Sequence, residues 1–383
     1  MLIKNAQIYS MEQKPIDSGF ISFENGIITG LGSMSGLLPE DADTIDAKGS
    51  MLLPGFVDAH AHLGMWEDSL GFEGDDGNED TEPSTPHLRA IDAVNPLDKC
   101  FEEARRAGIT AVATGPGSAN PIGGQIAVLK TGVGCLEDML IRQPAAIKMA
   151  LGENPKTVYR GKSMSPSTRM ATAAIIREQL YKAVRYISDN ENAASGEADY
   201  PEYDMKCEAL IPLLHGELTA HIHAHRADDI ETAIRLSKEF GLKISVIHAT
   251  SGHKIANALA KENVSVLLGP LMCDRSKPEL RDLTPRCAGV LCDAGVRLAL
   301  ISDHPEFPVQ YLPISAGLAV REGMDYYKAL KALTINPAEI LGVDDKIGSL
   351  KVGKHADMAI FKADPLSIQG RPWMVFIDGV QIL

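Results

Sequence analysis

The feature that most constrains the fold is the alternation of short apolar runs with longer helical stretches between residues 56 and 302. Eight of these runs have the length and composition of β-strands. The candidate strands are Phe56–His62, Thr110–Thr114, Ile126–Thr131, Ala146–Leu151, Leu218–His223, Lys243–His248, Val264–Leu268 and Arg297–Ser302. The candidate helices are Pro96–Ala107, Thr168–Ser188, Tyr203–Leu214, Asp228–Phe240, His253–Lys261 and Arg286–Ala294. Eight strands joined by crossover helices predict an α/β protein with a (β/α)8 TIM barrel.

The two ends of the chain differ from this central region, because both carry short apolar runs that are broken by turn residues. Neither end has enough residues to build a core alone. We therefore predict one small β-sandwich domain formed by both termini, residues 1–52 and 340–383, beside a barrel domain of residues 53–339.

The composition of the chain indicates which kinds of molecule it does not bind. The net charge of −14 over 383 residues argues against nucleic acid or an anionic membrane, which require clustered lysine and arginine. The six cysteines form no CxxC pair, which is typical of reduced intracellular thiols, and MLIKNAQIYS lacks the apolar core of a secretory leader. We expect a cytoplasmic protein with a small-molecule substrate; a homo-oligomer is compatible with the sequence.

Histidines stand at the predicted strand ends. His60 and His62 are two residues apart, so they face the same side at the end of the first strand. This pair alone is equally compatible with two structural histidines. His221, His223 and His225 end the fifth strand, however, and His248 and Asp303 end the sixth and eighth. Ligand-type side chains from several strand ends predict a metal site at the C-terminal face of the barrel.

Lys148 lies in an apolar run near the end of the fourth predicted strand. A lysine buried there without a partner would be costly. Conversion to a carbamate would make it an anionic bridging ligand; the alternative is a partly buried lysine paired with an acid.

Two loops and two cations are further candidates. The acidic segment Trp66–Pro86 follows the first strand and is either a lid or a solvated surface loop. The glycine-rich segment Gly115–Gln125 lacks the ending of a phosphate-binding loop, and we expect a close backbone approach to substrate or a tight turn. Arg275 and Lys277 follow the seventh strand and either meet an acidic substrate group or remain solvated.

Taken together, the motifs resemble those of the amidohydrolase superfamily, in the branch related to imidazolonepropionase and the barrel-type Xaa-Pro dipeptidases. The resemblance covers nearly the whole chain. It rests on Leu53–His62, Ala145–Lys148, the two histidine strands, Ser302–Asp303, Asn336–Ala338, Gly348–Asp357 and Phe376–Val380.

The resemblance implies a role for each residue. His60 and His62 would bind a first divalent metal, His223 and His248 a second, and carboxylated Lys148 would bridge them. Asp303 would bind the first metal and accept the proton of the attacking water, and His225 would polarise the carbonyl. Tyr159 and Arg160 are the candidates for holding substrate. Zinc suits this ligand set, with manganese, iron or cobalt as alternatives.

Three functions are compatible with these motifs. The first is a metal-dependent amidohydrolase that cleaves a C–N amide bond in a dipeptide or an N-acyl amino acid. The second is a cyclic amide or amidine ring hydrolase or deaminase resembling imidazolonepropionase. The third, of another class, is a catalytically silent scaffold, against which the complete ligand set argues.

Overall fold

The computed structural model describes residues 1–35, 43–67 and 71–383. Within these ranges the strands are β1 (Leu2–Ile8), β2 (Ile16–Glu24), β3 (Ile27–Ser33), β4 (Thr44–Asp46), β5 (Met51–Pro54), β6 (Phe56–Ala61), β7 (Ile109–Thr114), β8 (Ile122–Lys130), β9 (Leu140–Ala150), β10 (Thr219–Ala224), β11 (Lys243–His248), β12 (Ser265–Leu268), β13 (Leu298–Leu300), β14 (Met358–Phe361), β15 (Pro372–Ile377) and β16 (Val380–Gln381). The α-helices are α1 (Lys99–Arg106), α2 (Leu136–Met139), α3 (Glu153–Gly161), α4 (Arg169–Ala194), α5 (Met205–Leu214), α6 (Ala227–Phe240), α7 (Ala256–Lys261), α8 (Arg286–Asp293), α9 (Leu312–Arg321), α10 (Tyr326–Ala332) and α11 (Ile335–Leu341).

The central region forms the expected eight-stranded sheet, with β6 to β13 as neighbours in chain order among the described residues. Its first and last strands meet beyond their ends: the Asp303 N–H donates to the His60 carbonyl at 3.1 Å, and the His62 N–H donates to the His304 carbonyl at 2.9 Å. These bonds nearly close the sheet into a barrel at the edge where the candidate ligands lie.

The third strand departs from the expected (β/α)8 pattern. The sequence predicts it over Ile126–Thr131 as one of eight parallel barrel strands, but β8 begins at Ile122 and runs antiparallel to both β7 and β9. A parallel neighbour requires a crossover of a dozen residues or more. Only residues 115–121 separate β7 from β8, and only residues 131–139, with the single turn of α2, separate β8 from β9. The chain therefore reverses direction twice here.

Residues near both ends of the chain form a second sheet, in the order β16-β15-β14-β5-β1-β2-β3, with β4 paired to β1. The two ends join where β5 pairs antiparallel with β14, so that Leu53 lies opposite Ala359. This sheet has its own core, which includes the buried side chains of Ile8, Ile21 and Phe376. The participation of both termini is thus observed, whereas folding into a two-layered sandwich and the exact domain boundaries stay predictions.

Among the described residues, no helix is both long enough and apolar enough to cross a membrane. The longest, α4, begins after Thr168, whose side chain accepts a hydrogen bond from the Ala171 N–H at 3.1 Å as a helix N-cap. It is an amphipathic helix, because Ile176, Leu180 and Ala183 are buried on one side while other side chains face solvent.

Candidate metal centre

The first cluster of ligand-type side chains is made by His60, His62 and Asp303. Asp303 Oδ1 lies 3.3 Å from His60 Nε2 and 3.4 Å from His62 Nε2. Two ligand atoms bound about 2.1 Å from one zinc ion at the tetrahedral angle are about 3.4 Å apart, so this spacing suits a shared metal. Asp303 adopts φ +56°, a conformation that L-residues rarely take and that is often found at functional sites.

The second histidine cluster is made by His223, His225 and His248, whose ligand atoms lie within 4.8 Å of one another. Their ring centroids are 4.4 to 4.7 Å apart. His221 lies two residues before His223 in β10 and is fully buried opposite Lys148 of β9. It is not part of this cluster. The geometry thus selects two of the three histidines that spacing alone could not separate.

Hydrogen bonds fix the orientation of these rings. In three of the rings, Nδ1 lies 2.6 to 2.7 Å from an oxygen atom. These pairs are His62 with the Gly115 carbonyl, His225 with the Thr250 hydroxyl and His248 with the Gly269 carbonyl. A carbonyl can only accept, so Nδ1 of His62 and His248 carries the proton and Nε2 is the free ligand atom.

The protonation state of the site suits a metal. Burial lowers the pKa of His60, His223 and His225 well below the usual histidine value, and it also lowers the pKa of His248. These rings are therefore neutral near pH 7, which is the form that binds metal. His223 Nε2 is buried and has no hydrogen-bond partner among the described residues, as expected for an atom reserved for a ligand.

Lys148 lies close enough to both clusters for its charge to lower the pKa of His60 and of His223. It is 1% exposed, and its Nζ donates to the Gly117 carbonyl at 3.0 Å. Burial lowers its pKa to about 7, although Asp303 opposes the shift. Among the described residues, no acid forms a close ion pair with Lys148, so the alternative of a lysine paired with an acid is not supported.

The clusters open into a cavity of about 610 Å³, which is the size of a small-molecule site. Its lining includes His62, Trp66, Gly117, Asn154, His223, His225, His248, Cys273, Lys277, Asp303 and Glu306. Within the described part of the chain we therefore find ligand-type residues, a buried lysine with a lowered pKa and a cavity at one place, and the donor set fits a divalent metal.

Glu279 is a residue that the sequence reasoning missed. It lies in a short 3-10 turn, Pro278–Leu280, and is 1% exposed. Its Oε1 is 2.8 Å from Lys277 Nζ, 3.7 Å from His225 Nε2 and 3.9 Å from His223 Nε2. Burial alone would raise its pKa, but His225 and Lys277 hold it below the usual glutamate value. Its proximity to Lys277 in sequence was the only available signal.

The structure does not bring the predicted substrate residues into the cavity. Tyr159 is fully buried in α3 and donates its hydroxyl hydrogen to Asn120 Oδ1 at 2.5 Å. Arg160 is exposed. Neither residue is part of the cavity lining, whereas Asn154, at the start of the same helix, is.

The predicted lid segment packs on the glycine-rich segment where it is described; residues 68–70 of it lie outside the described residues. The Gly117 N–H donates to the Gly77 carbonyl at 2.8 Å, and the Ala119 N–H donates to Asn78 Oδ1 at 3.1 Å. Trp66 stands edge-on to His62, with ring centroids 4.6 Å apart. The glycine-rich segment thus touches the site directly, as its carbonyls hold His62 and Lys148.

Comparison with known proteins agrees with this geometry. The model of the amidohydrolase family matches residues 51–382. Amidohydrolase tasK of Hapsidospora irregularis is 30% identical over 420 aligned residues, covering 99% of this chain but 42% of that protein. An imidazolonepropionase of Maricaulis maris is 27% identical, covering 91% of this chain and 88% of that protein. The crystal structure of an amidohydrolase from Thermotoga maritima superposes with a TM-score of 0.96 and 40% identity, covering 100% and 99% of the two chains.

These matches confirm the superfamily and its imidazolonepropionase-related branch, as well as a hydrolase acting on carbon–nitrogen bonds. The family match covers all eight strands of the barrel sheet, β6 to β13, and both strands of the C-terminal hairpin, β15 and β16. The chain therefore belongs to the amidohydrolase family.

Proposed function

We propose that this protein is a metal-dependent amidohydrolase that cleaves the C–N amide bond of a small molecule, of the dipeptide or N-acyl amino acid type. The observation that carries the proposal is that two three-residue ligand clusters lie near one buried lysine and contribute to the wall of a cavity of small-molecule size. His60, His62 and Asp303 would hold one metal, His223 and His248 the other, and carboxylated Lys148 would bridge them. Two zinc ions suit these donors best, with manganese, iron or cobalt as alternatives.

A divalent metal in this site supplies Lewis acidity, which in enzymes lowers the pKa of water to about 7. Asp303 is the residue that we propose for proton transfer. Burial opposes its ionisation, but the neighbouring histidines, His248 first and then His60 and His62, hold its pKa well below the usual aspartate value. Asp303 is thus an anion at neutral pH, ready to accept a proton from the attacking water and pass it to the leaving nitrogen.

His225 is the proposed group for polarising the substrate carbonyl. Its Nδ1 is held by Thr250 Oγ1 at 2.7 Å, and it lines the cavity. A ring fixed in this way can present Nε2 to an oxygen without first reorganising, which is the basis of electrostatic stabilisation in acyl-transfer enzymes.

The carbamate on Lys148 is chemically accessible. Its formation requires the neutral amine, whose nitrogen attacks CO2 and releases one proton. A pKa of about 7 leaves a large fraction of Lys148 in that form at neutral pH, whereas an ordinary lysine has almost none. The product is an anionic group between two metal sites.

Substrate recognition falls to the cavity wall. Asn154 and Lys277 line it and contact each other, with Lys277 Nζ donating to Asn154 Oδ1 at 2.8 Å. Direct substrate binding by Tyr159 and Arg160 stays a prediction, and the contacts of Tyr159 favour a supporting role through Asn120.

A second candidate is hydrolysis or deamination of a cyclic amide or amidine. It is favoured by the matches to imidazolonepropionases, which cover 84 to 92% of this chain at 24 to 28% identity. The family resemblance associates those enzymes with one metal and no bridging lysine, so Lys148 argues for the first candidate.

Metal analysis combined with a substrate panel tests the proposal. Protein purified with zinc and bicarbonate should contain two metal ions per chain and should release free amino acids from dipeptides or N-acyl amino acids. Ring opening without a released fragment, or ammonia release, would favour the second candidate. Protein that binds no zinc and hydrolyses neither class would refute both and restore the silent scaffold.

Lys148→Ala provides a specific check on the carbamate. The variant should lose activity and one or both metals, and small carboxylic acids should restore part of the activity by occupying the vacated space. A Lys148→Ala protein that keeps two metals and full activity would rule out the bridging role.

A further inference from the structure

Glu279 lies beside the second histidine cluster and has no role in the reaction as proposed above. We propose that Glu279 supplies an anionic oxygen ligand to the cation that the second histidine cluster holds, and that Lys277 competes with this cation for the same carboxylate. The inference rests on the proposed function, since it requires a metal at that cluster.

The distances support a shared ligand position. Glu279 Oε1 lies 3.7 Å from His225 Nε2 and 3.9 Å from His223 Nε2. Both distances are too long for hydrogen bonds. The distance to His223, a proposed ligand of the second metal, approaches the separation of about 3.4 Å expected for two ligands on one tetrahedral metal, which the first cluster shows at 3.3 and 3.4 Å. The distance to His225 shows that the carboxylate lies against this same cluster.

The carboxylate is held in this orientation by its other oxygen. The backbone N–H of Glu153 donates to Glu279 Oε2 at 3.1 Å. The preceding residue, Gly152, has φ +83°, and a Cβ atom there would lie 3.0 Å from Oε2. Glycine at this position therefore allows the start of α3 to approach Glu279 closely, and Oε1 is directed at the histidines.

A buried carboxylate requires a cation, and each of the two neighbouring cationic side chains already pairs with one buried acid. Arg169 Nε pairs with Asp229 Oδ1 at 2.9 Å, while Lys277 Nζ pairs with Glu279 Oε1 at 2.8 Å. Lys277 is also held by Asn154 Oδ1 and is partly open to the cavity. The oxygen that faces the histidines is thus the one that Lys277 occupies, so the ammonium and the metal compete for it.

Metal binding to three variants, each compared with the wild type, distinguishes a ligand from a bystander. Glu279→Gln keeps the shape and removes the charge, and Lys277→Met removes the competitor. Glu306→Gln is the matched control, because Glu306 is an exposed acid on the same cavity. Zinc affinity is measured by competition with a chromophoric chelator, and the coordination of bound cobalt is measured from its visible absorption spectrum.

We expect Glu279→Gln to weaken the binding of one of two zinc ions at least tenfold and to change the cobalt spectrum. Lys277→Met should act in the opposite direction, tightening that ion at least threefold and enlarging the rise in melting temperature that zinc produces. Glu306→Gln should change neither.

Unchanged zinc affinity in Glu279→Gln, or weaker affinity with an unchanged cobalt spectrum, would overturn the ligand assignment and leave the proposed function intact. If Glu279→Gln does not fold, the Lys277→Met variant tests the proposal instead. Zinc binding by Lys277→Met that is equal to or weaker than that of the wild type would contradict competition between Lys277 and the metal. Wild-type protein that binds no metal at all would overturn both proposals together.

Discussion

Replacing Lys148 by methionine should stabilise the metal-free protein at pH 7 while abolishing the proposed metal centre. Burial moves the pKa of Lys148 from 10.5 to about 7 in the folded protein. Between these values the unfolded chain holds a proton that the folded protein does not, so the stability of the wild type rises with pH across this window. Each pKa unit corresponds to about 1.36 kcal/mol, so burying this lysine costs about 5 kcal/mol near pH 7.

Methionine avoids this cost but loses one contact. Lys148 Nζ donates to the Gly117 carbonyl, and an unsatisfied buried acceptor costs about 1–3 kcal/mol. The metal-free variant should therefore be about 2–4 kcal/mol more stable than the wild type at pH 7. Near pH 10 the wild type has recovered most of the cost, and the order of stability should be reversed or the two should be equal.

Urea denaturation at pH 7, 8.5 and 10 measures this effect, with metal removed by a chelator and CO2 excluded so that no carbamate forms. The difference between the two proteins is the relevant quantity, because other groups that titrate in this range contribute equally to both. Lys99→Met, at an exposed lysine, is the control and should show no such trend. A stability difference that stays constant from pH 7 to 10 would show that Lys148 is not a buried neutral amine in the folded protein.

Three further substitutions test other parts of the structure. Asp303→Asn should lower kcat by about 10²- to 10⁴-fold in steady-state assays, because it removes the proton acceptor, and an unchanged kcat would exclude that role. Lys130→Met should destabilise the protein by about 3–5 kcal/mol in thermal denaturation, since it leaves the buried Asp357, 3.0 Å from Lys130 Nζ, without its cation; a loss below about 1 kcal/mol would contradict the pairing. Tyr159→Phe should cost about 1–2 kcal/mol of stability through the lost Asn120 bond with little effect on kcat/KM, whereas a large fall in kcat/KM at unchanged stability would restore direct substrate binding.

The barrel and most of the site could be predicted because both depend on local periodicity. Apolar runs of strand length separated by helices determine the sheet, and residues two apart on a strand must share a face. Strand-end positions therefore predicted that His60 and His62 lie together, and the family resemblance added Asp303 to them; the three side chains do form one cluster. Lys148 was recognisable because a lysine inside an apolar strand is costly to bury and therefore requires a partner or a chemical role.

The errors and omissions have physical causes. An apolar run contains no information on strand direction, so the antiparallel orientation of β8 was not predicted. Only the short connections on either side of this strand indicate it. Tyr159 was expected to hold substrate, but residues 153–161 form a helix that turns its ring into the core. Glu279 lies in a 3-10 turn that no periodicity marks, and its place beside two histidines depends on how the loop after β12 folds back.

Several costly features of this molecule lie where the barrel strands end. His248, Ala249 and Asp303 all have positive φ, a conformation that costs L-residues roughly 1–2 kcal/mol each. Lys148 and Glu279 are ionisable groups at 1% exposure beside them. Selection for stability alone would disfavour a left-handed backbone at residues other than glycine and ionisable side chains buried beside it. Their retention at one edge of one cavity is therefore an argument for function that is independent of the family match. Glu279 meets this criterion as fully as Lys148 does, which is why we assign it to the metal centre and not to the supporting core.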